Sequence, residues 1–153
     1  MRFQADAGRP DGPPRRDPAL WRWTLFAAAA TVALCAALPW LQLRFALLFG
    51  EHLGPPGWHS QSGFTCLLTS LFVAVMALAE THTPSSRLAA RPGSLLLVSV
   101  AAATLLVEWC EGPGSLRGMS ATWTVWFYAL SIGLPLLLGA CALRWAAAHA
   151  ARR

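Results

Sequence analysis

Four long stretches of the chain carry no charged side chain, and this feature limits the fold more than any other. The uncharged stretches are residues 23–43, 60–79, 92–107 and 118–143. An α-helix rises 1.5 Å per residue, so about 20 residues cross a hydrocarbon core of roughly 30 Å. The sequence therefore predicts four transmembrane helices, at approximately residues 21–42, 61–79, 92–109 and 122–144.

The composition agrees with a membrane environment. Hydrophobic residues make up 56% of the chain and charged residues 12%, which leaves too few polar side chains to cover a water-soluble globule of this size. The net charge is +5, but the arginines are neither gathered on one face nor interleaved with aromatic residues. We therefore expect the lipid bilayer as a partner and no nucleic acid.

The positions of the basic residues predict an orientation. All twelve are arginines, and ten of them lie before the first stretch, between the second and third, or after the fourth. The other two loops hold only Arg44 and Arg117. Because cytoplasmic segments are enriched in basic residues, both termini are predicted to be cytoplasmic. The absence of lysine and asparagine indicates GC-rich coding, and helical spans favour a bacterial cytoplasmic (inner) membrane over an outer one.

The sequence predicts an all-α membrane protein, a bundle of four transmembrane helices without a soluble domain. Residues 1–19 combine charges with proline and glycine and are expected to form a disordered cytoplasmic tail. The four-span domain is expected to cover residues 20–147, and residues 148–153 form a second cytoplasmic tail. Pro39 is expected to kink or end the first helix, and the segment up to Phe49 to lie along the outer interface.

Small residues recur every four positions on two of the predicted helices. Because such residues let helices approach closely in lipid, these faces are candidates for tight packing, within the chain or between copies. They are Ala29, Ala33 and Ala37 on the first helix, and Ser131, Pro135 and Gly139 on the fourth.

The four cysteines are spread one per span or span end, without a CxxC pair. Cys66 and Cys110 both lie toward the predicted outer side, so a disulfide between them is one interpretation in an oxidising compartment. The other is that all four are free thiols that pack as small hydrophobic residues.

The predicted outer loops contain imidazole and carboxylate side chains, which are ligands of zinc and similar divalent metals. The candidate ligands are Glu51, His52, His59 and Glu108. Alternatively, the carboxylates pair with Arg44 or Arg117. No other cofactor is expected.

The sequence limits the possible functions mainly through the transport and catalytic signatures that it lacks. None of the spans has an ionisable residue near its centre, which argues against proton-coupled transport. Small multidrug-type antiporters are similar in length and span number, but they rely on a membrane-embedded glutamate in the first helix. No nucleophile elbow, HExxH or P-loop motif is present.

Three functional classes follow. The leading one is a non-enzymatic accessory, assembly or self-associating component. The second is a small enzyme or ligand-binding protein whose outer site is built around Glu51, His52, His59, Glu108 and Arg117. The third is a transporter of an uncharged substrate.

Overall fold

Four long apolar helices form most of the structure, a computed structural model that describes residues 18–45, 51–82, 92–116 and 119–150. They are α1 (Pro18–Ala37), α2 (Gln61–His82), α3 (Pro92–Glu111) and α4 (Val125–Ala150). Each is long and apolar enough to cross a membrane, which confirms the prediction of four such helices. The predicted tails fall largely outside the described residues, at 1–17 and 151–153.

The helix ends follow from local sequence signals. Ser60 caps α2, since its Oγ accepts a hydrogen bond from the Gly63 N–H at 3.0 Å. Pro92 begins α3, where a missing N–H costs nothing in the first turn. The same helix ends at Glu111 and is followed by Gly112, which has a φ of 75° and donates its N–H to the Glu108 carbonyl.

The helices form a closed ring in which α1 contacts α2 and α4, and α3 contacts α2 and α4. The interior is built of small and aliphatic side chains such as Ala29, Val73, Val98 and Leu130. Large apolar side chains also point outward along the helices, among them Leu136, which is 68% exposed. An outer surface of this kind is what a bilayer covers.

A four-stranded antiparallel sheet lies at one end of the bundle. Its strands are β1 (Leu41–Phe45), β2 (Glu51–Leu53), β3 (Ser115–Leu116) and β4 (Met119–Trp123), in the order β2-β1-β4-β3. The first two come from the loop between α1 and α2, and the other two from the loop between α3 and α4. We call this the sheet end of the bundle, and the opposite end the Glu80 end.

The sheet is the part of the fold that the all-α prediction omitted. Of the segment expected along the membrane interface after the first helix, residues 41–45 form β1, which pairs with β4, and residues 46–49 lie outside the described residues. Alternation of Leu41, Leu43 and Phe45 with Gln42 and Arg44 is a strand pattern. It was too short to be decisive, because β1 is stabilised by a strand from a distant loop.

Candidate functional site

Trp40 joins the sheet to the bundle. Pro39 has no N–H, so the carbonyl of Cys35, four residues earlier, loses its usual helical donor. The indole Nε1 of Trp40 donates to this carbonyl at 3.1 Å. Trp40 is buried, with 2% of its surface exposed. The free carbonyl at the end of α1 therefore receives its hydrogen bond from a side chain that is held by its surroundings.

Two glycines surround Trp40 at distances that leave no room for a side chain. A Cβ at Gly57 would lie 2.1 Å from Cε2 of Trp40, and a Cβ at Gly63 would lie 2.0 Å from the Gly57 carbonyl oxygen. The turn after β2 and the start of α2 therefore pack closely against the indole ring, and glycine is needed at both positions.

Aromatic rings extend this junction across the bundle. Phe127 is fully buried, with the Trp40 ring edge-on at a centroid distance of 5.3 Å and the Trp123 ring stacked at 3.9 Å. The Thr124 hydroxyl also donates to the Pro39 carbonyl at 2.6 Å, and its N–H donates to the Trp40 carbonyl at 2.7 Å. The sheet is consequently fixed to both α1 and α4.

The β2 strand forms an open edge of the sheet. The Gly54 N–H donates to the Leu41 carbonyl at 2.8 Å, and His52 stands opposite Leu43 in the same register. Because hydrogen-bonding positions alternate along an antiparallel pair, His52 turns its backbone groups toward β1. Glu51 and Leu53 turn theirs away from β1, and no other described strand pairs with them.

The structure does not bring the predicted metal ligands into one group. Glu51 pairs with Arg44 and accepts a hydrogen bond from Gln42. Glu108 accepts a hydrogen bond from the Ser62 hydroxyl at 2.6 Å. His52 packs against Phe45, and His59 packs against Trp58. Among the described residues, no three His, Cys, Asp or Glu side chains form a group able to hold a metal ion; Arg117 lies outside them.

The two cysteines of the proposed disulfide are free thiols in the structure. Cys66 is buried and its Sγ lies 3.7 Å from the Ala101 carbonyl oxygen, whereas Cys110 is exposed. Cys35 and Cys141 are free and buried.

The predicted packing faces have different surroundings. On α1, Ala29 and Ala33 are buried in the bundle, and Ala37 is exposed. On α4, Ser131 and Pro135 line an apolar groove of about 290 Å³ beside α3, and a Cβ added at Gly139 would meet nothing within 4 Å. The buried face of α4 instead consists of Phe127, Leu130, Leu134, Leu137 and Cys141.

The Glu80 end contains a buried charged cluster that sequence reasoning missed. Arg144 of α4 forms a salt bridge with Glu80 of α2, and the two side chains are 14% and 3% exposed. Arg22 of α1 donates to the Glu80 backbone carbonyl at 3.0 Å. The available signal was that each of the three residues directly flanks an uncharged stretch, at the same predicted membrane face.

No protein-family model, curated protein or solved structure matches the chain.

Proposed function

We propose that the chain is an integral protein of a bacterial cytoplasmic membrane, with both termini in the cytoplasm and the sheet on the outer face. Four apolar helices and the arginine distribution support this arrangement. In it the protein is a non-enzymatic component that associates with further copies of itself through the sheet.

The observation that carries this proposal is the open edge at β2. Unpaired backbone N–H and C=O groups on an edge strand are a template for another strand. The edge is held in a defined position, because β1 is fixed to α1 and α4 through Trp40 and Thr124. The side chains of Glu51, His52 and Leu53 are exposed and leave the edge accessible.

A second copy fits this edge by symmetry. Two β2 strands paired antiparallel about a two-fold axis place His52 opposite His52 of the second copy, and Glu51 opposite Leu53. The two carboxylates stay apart, and the outward-facing backbone groups of Glu51 and Leu53 become paired. Each intermolecular hydrogen bond adds only about 0.5–1.5 kcal/mol, so we expect a reversible dimer that confinement to the membrane plane assists.

Disulfide trapping tests this register. In the proposed dimer the two His52 residues form a non-hydrogen-bonded pair with a Cα separation of about 4.5 Å, which is within disulfide range. In a variant whose four native cysteines are replaced by alanine, we expect His52→Cys to give an oxidised dimer in membranes. Thr122→Cys is the control, because Thr122 is also exposed but lies on the inner strand β4. Equal trapping at both positions, or none at His52, would contradict the proposal.

A backbone variant separates edge pairing from side-chain effects. Leu53→Pro removes an N–H that faces away from β1, so the sheet should persist while the dimer is lost. Leu53→Val keeps this N–H and should dimerise like the wild type. Native mass spectrometry of protein extracted gently from membranes reports the copy number; a lone protomer, or a one-to-one complex with a different protein, argues against self-association.

A further inference from the structure

A small groove between α1 and α4 opens beside the buried charged cluster at the Glu80 end. Its volume is about 180 Å³, and it is lined by Trp21, Thr24, Leu25, Ala28, Ala140 and Arg144. Five of these six residues contribute aliphatic, aromatic or hydroxyl side chains, and Arg144 supplies the charge.

Arg144 has hydrogen-bonding capacity that its described neighbours do not use. Its Nη2 contacts Glu80, whereas its Nη1 has less than 1 Å² of exposed surface and no hydrogen-bond partner among the described residues. A buried guanidinium N–H without an acceptor is costly. Nη1 is enclosed in the structure, but Arg144 lines the groove, so a rotation of its side chain would present this N–H to an acceptor there.

The groove changes character along its length. Arg144 and Trp21 lie toward the end of the bundle, where tryptophan is favoured at a membrane surface. Ala140 lies one helical turn deeper on α4, about 6 Å along the axis, and Ala28 lies about two turns beyond Trp21 on α1. The charged cluster beside the mouth has two arginines, Arg22 and Arg144, and one carboxylate, Glu80, so the mouth carries a net positive charge and the interior is apolar.

We propose that this groove binds an anionic phospholipid. A phosphate oxygen accepts hydrogen bonds from the Arg144 guanidinium, which suits phosphate geometry, and an acyl chain covers Ala28 and Ala140. The apolar interior selects a lipid over free phosphate, because inorganic phosphate has nothing to place there. The site requires insertion in the membrane but does not depend on pairing at the β2 edge.

Filling the apolar part tests the proposal without altering the charges. We expect Ala140→Leu to lower retention of phosphatidylglycerol by about tenfold, the effect of one lost strong contact. Ala142→Leu, on the exposed face of the same helix, should retain lipid like the wild type. Native mass spectrometry after reconstitution in mixed phosphatidylglycerol and phosphatidylcholine bilayers measures the retained lipid directly.

A second variant addresses the charged part. Arg144→Lys keeps the positive charge beside Glu80 but removes the Nη1 donor. The protein should therefore stay folded and hold phosphatidylglycerol less well. Unchanged retention in both Ala140→Leu and Arg144→Lys would overturn the proposal. Equal retention of phosphatidylcholine would show that the headgroup is not recognised. Displacement of the lipid by millimolar inorganic phosphate alone would identify a free-phosphate site instead. Either result would overturn the proposal of an anionic phospholipid site.

Discussion

At the scale of single residues, the junction between α1 and the sheet depends on one indole N–H. Trp40→Phe would keep a ring beside Phe127 but leave the Cys35 carbonyl without its donor. We expect the free energy of unfolding to fall by about 1–3 kcal/mol, the usual cost of a buried unsatisfied group. Unfolding in mild detergent measures it, and Trp58→Phe serves as the control because Trp58 is exposed. Similar losses for both variants would contradict the assigned role of Trp40.

Glycine positions give a second residue-scale prediction. Gly57→Ala forces a methyl group into Trp40, and overpacking of this kind costs about 1–3 kcal/mol. Gly139→Ala meets open space within α4, so it should be neutral or stabilise by up to about 1 kcal/mol. Thermal unfolding of the two variants provides the comparison, and the opposite order would contradict the packing described around Trp40.

The cross-strand pair of Arg44 and Glu51 should contribute little. Their side chains are 61% and 47% exposed, so water screens the interaction. A double-mutant cycle with Arg44→Gln and Glu51→Gln is expected to give a coupling free energy below about 1 kcal/mol. A much larger coupling would mean that this pair, and not Trp40, holds β2 in place.

At the scale of helices, the buried pair of Glu80 and Arg144 links α2 to α4. Glu80→Gln removes the carboxylate that the buried Arg144 guanidinium faces, so it should destabilise by about 3–5 kcal/mol. Arg144→Gln removes the same salt bridge and should destabilise as well. The double variant should cost less than the sum of the single ones. Chemical unfolding in detergent supplies all three values, and strict additivity would indicate that the two residues act independently.

The elements differ in how well the sequence predicts them. Long uncharged stretches predict the helices. Three of the stretches have 20 or more residues, and the third, with 16, reaches membrane thickness only if Glu108 and Trp109 belong to its interfacial end. No comparable signal predicts the strands, because β1 has five residues and β2 three, and their pairing depends on contacts between loops. The charged cluster was missed for a related reason, since the positions of Glu80 and Arg144 predict a membrane face but not which side chains meet.

At the scale of the whole molecule, the proposed orientation makes Cys110 the test residue. It is the one exposed thiol among the four cysteines and lies at the sheet end of α3. A membrane-impermeant maleimide should label intact cells or right-side-out vesicles, and Cys110→Ala should abolish the labelling. Labelling only after the membrane is opened would reverse the orientation.

The sheet has a consequence for biogenesis. It is made of two halves, one carried by each pair of consecutive helices, and β1 is completed only by β4. When the ribosome has finished α1 and α2, β1 and β2 are therefore already released, but β4, the second partner of β1, is not yet translated. Until α3 and β4 emerge, the growing chain carries a second exposed strand edge, so the sheet can close only after translation has passed β4.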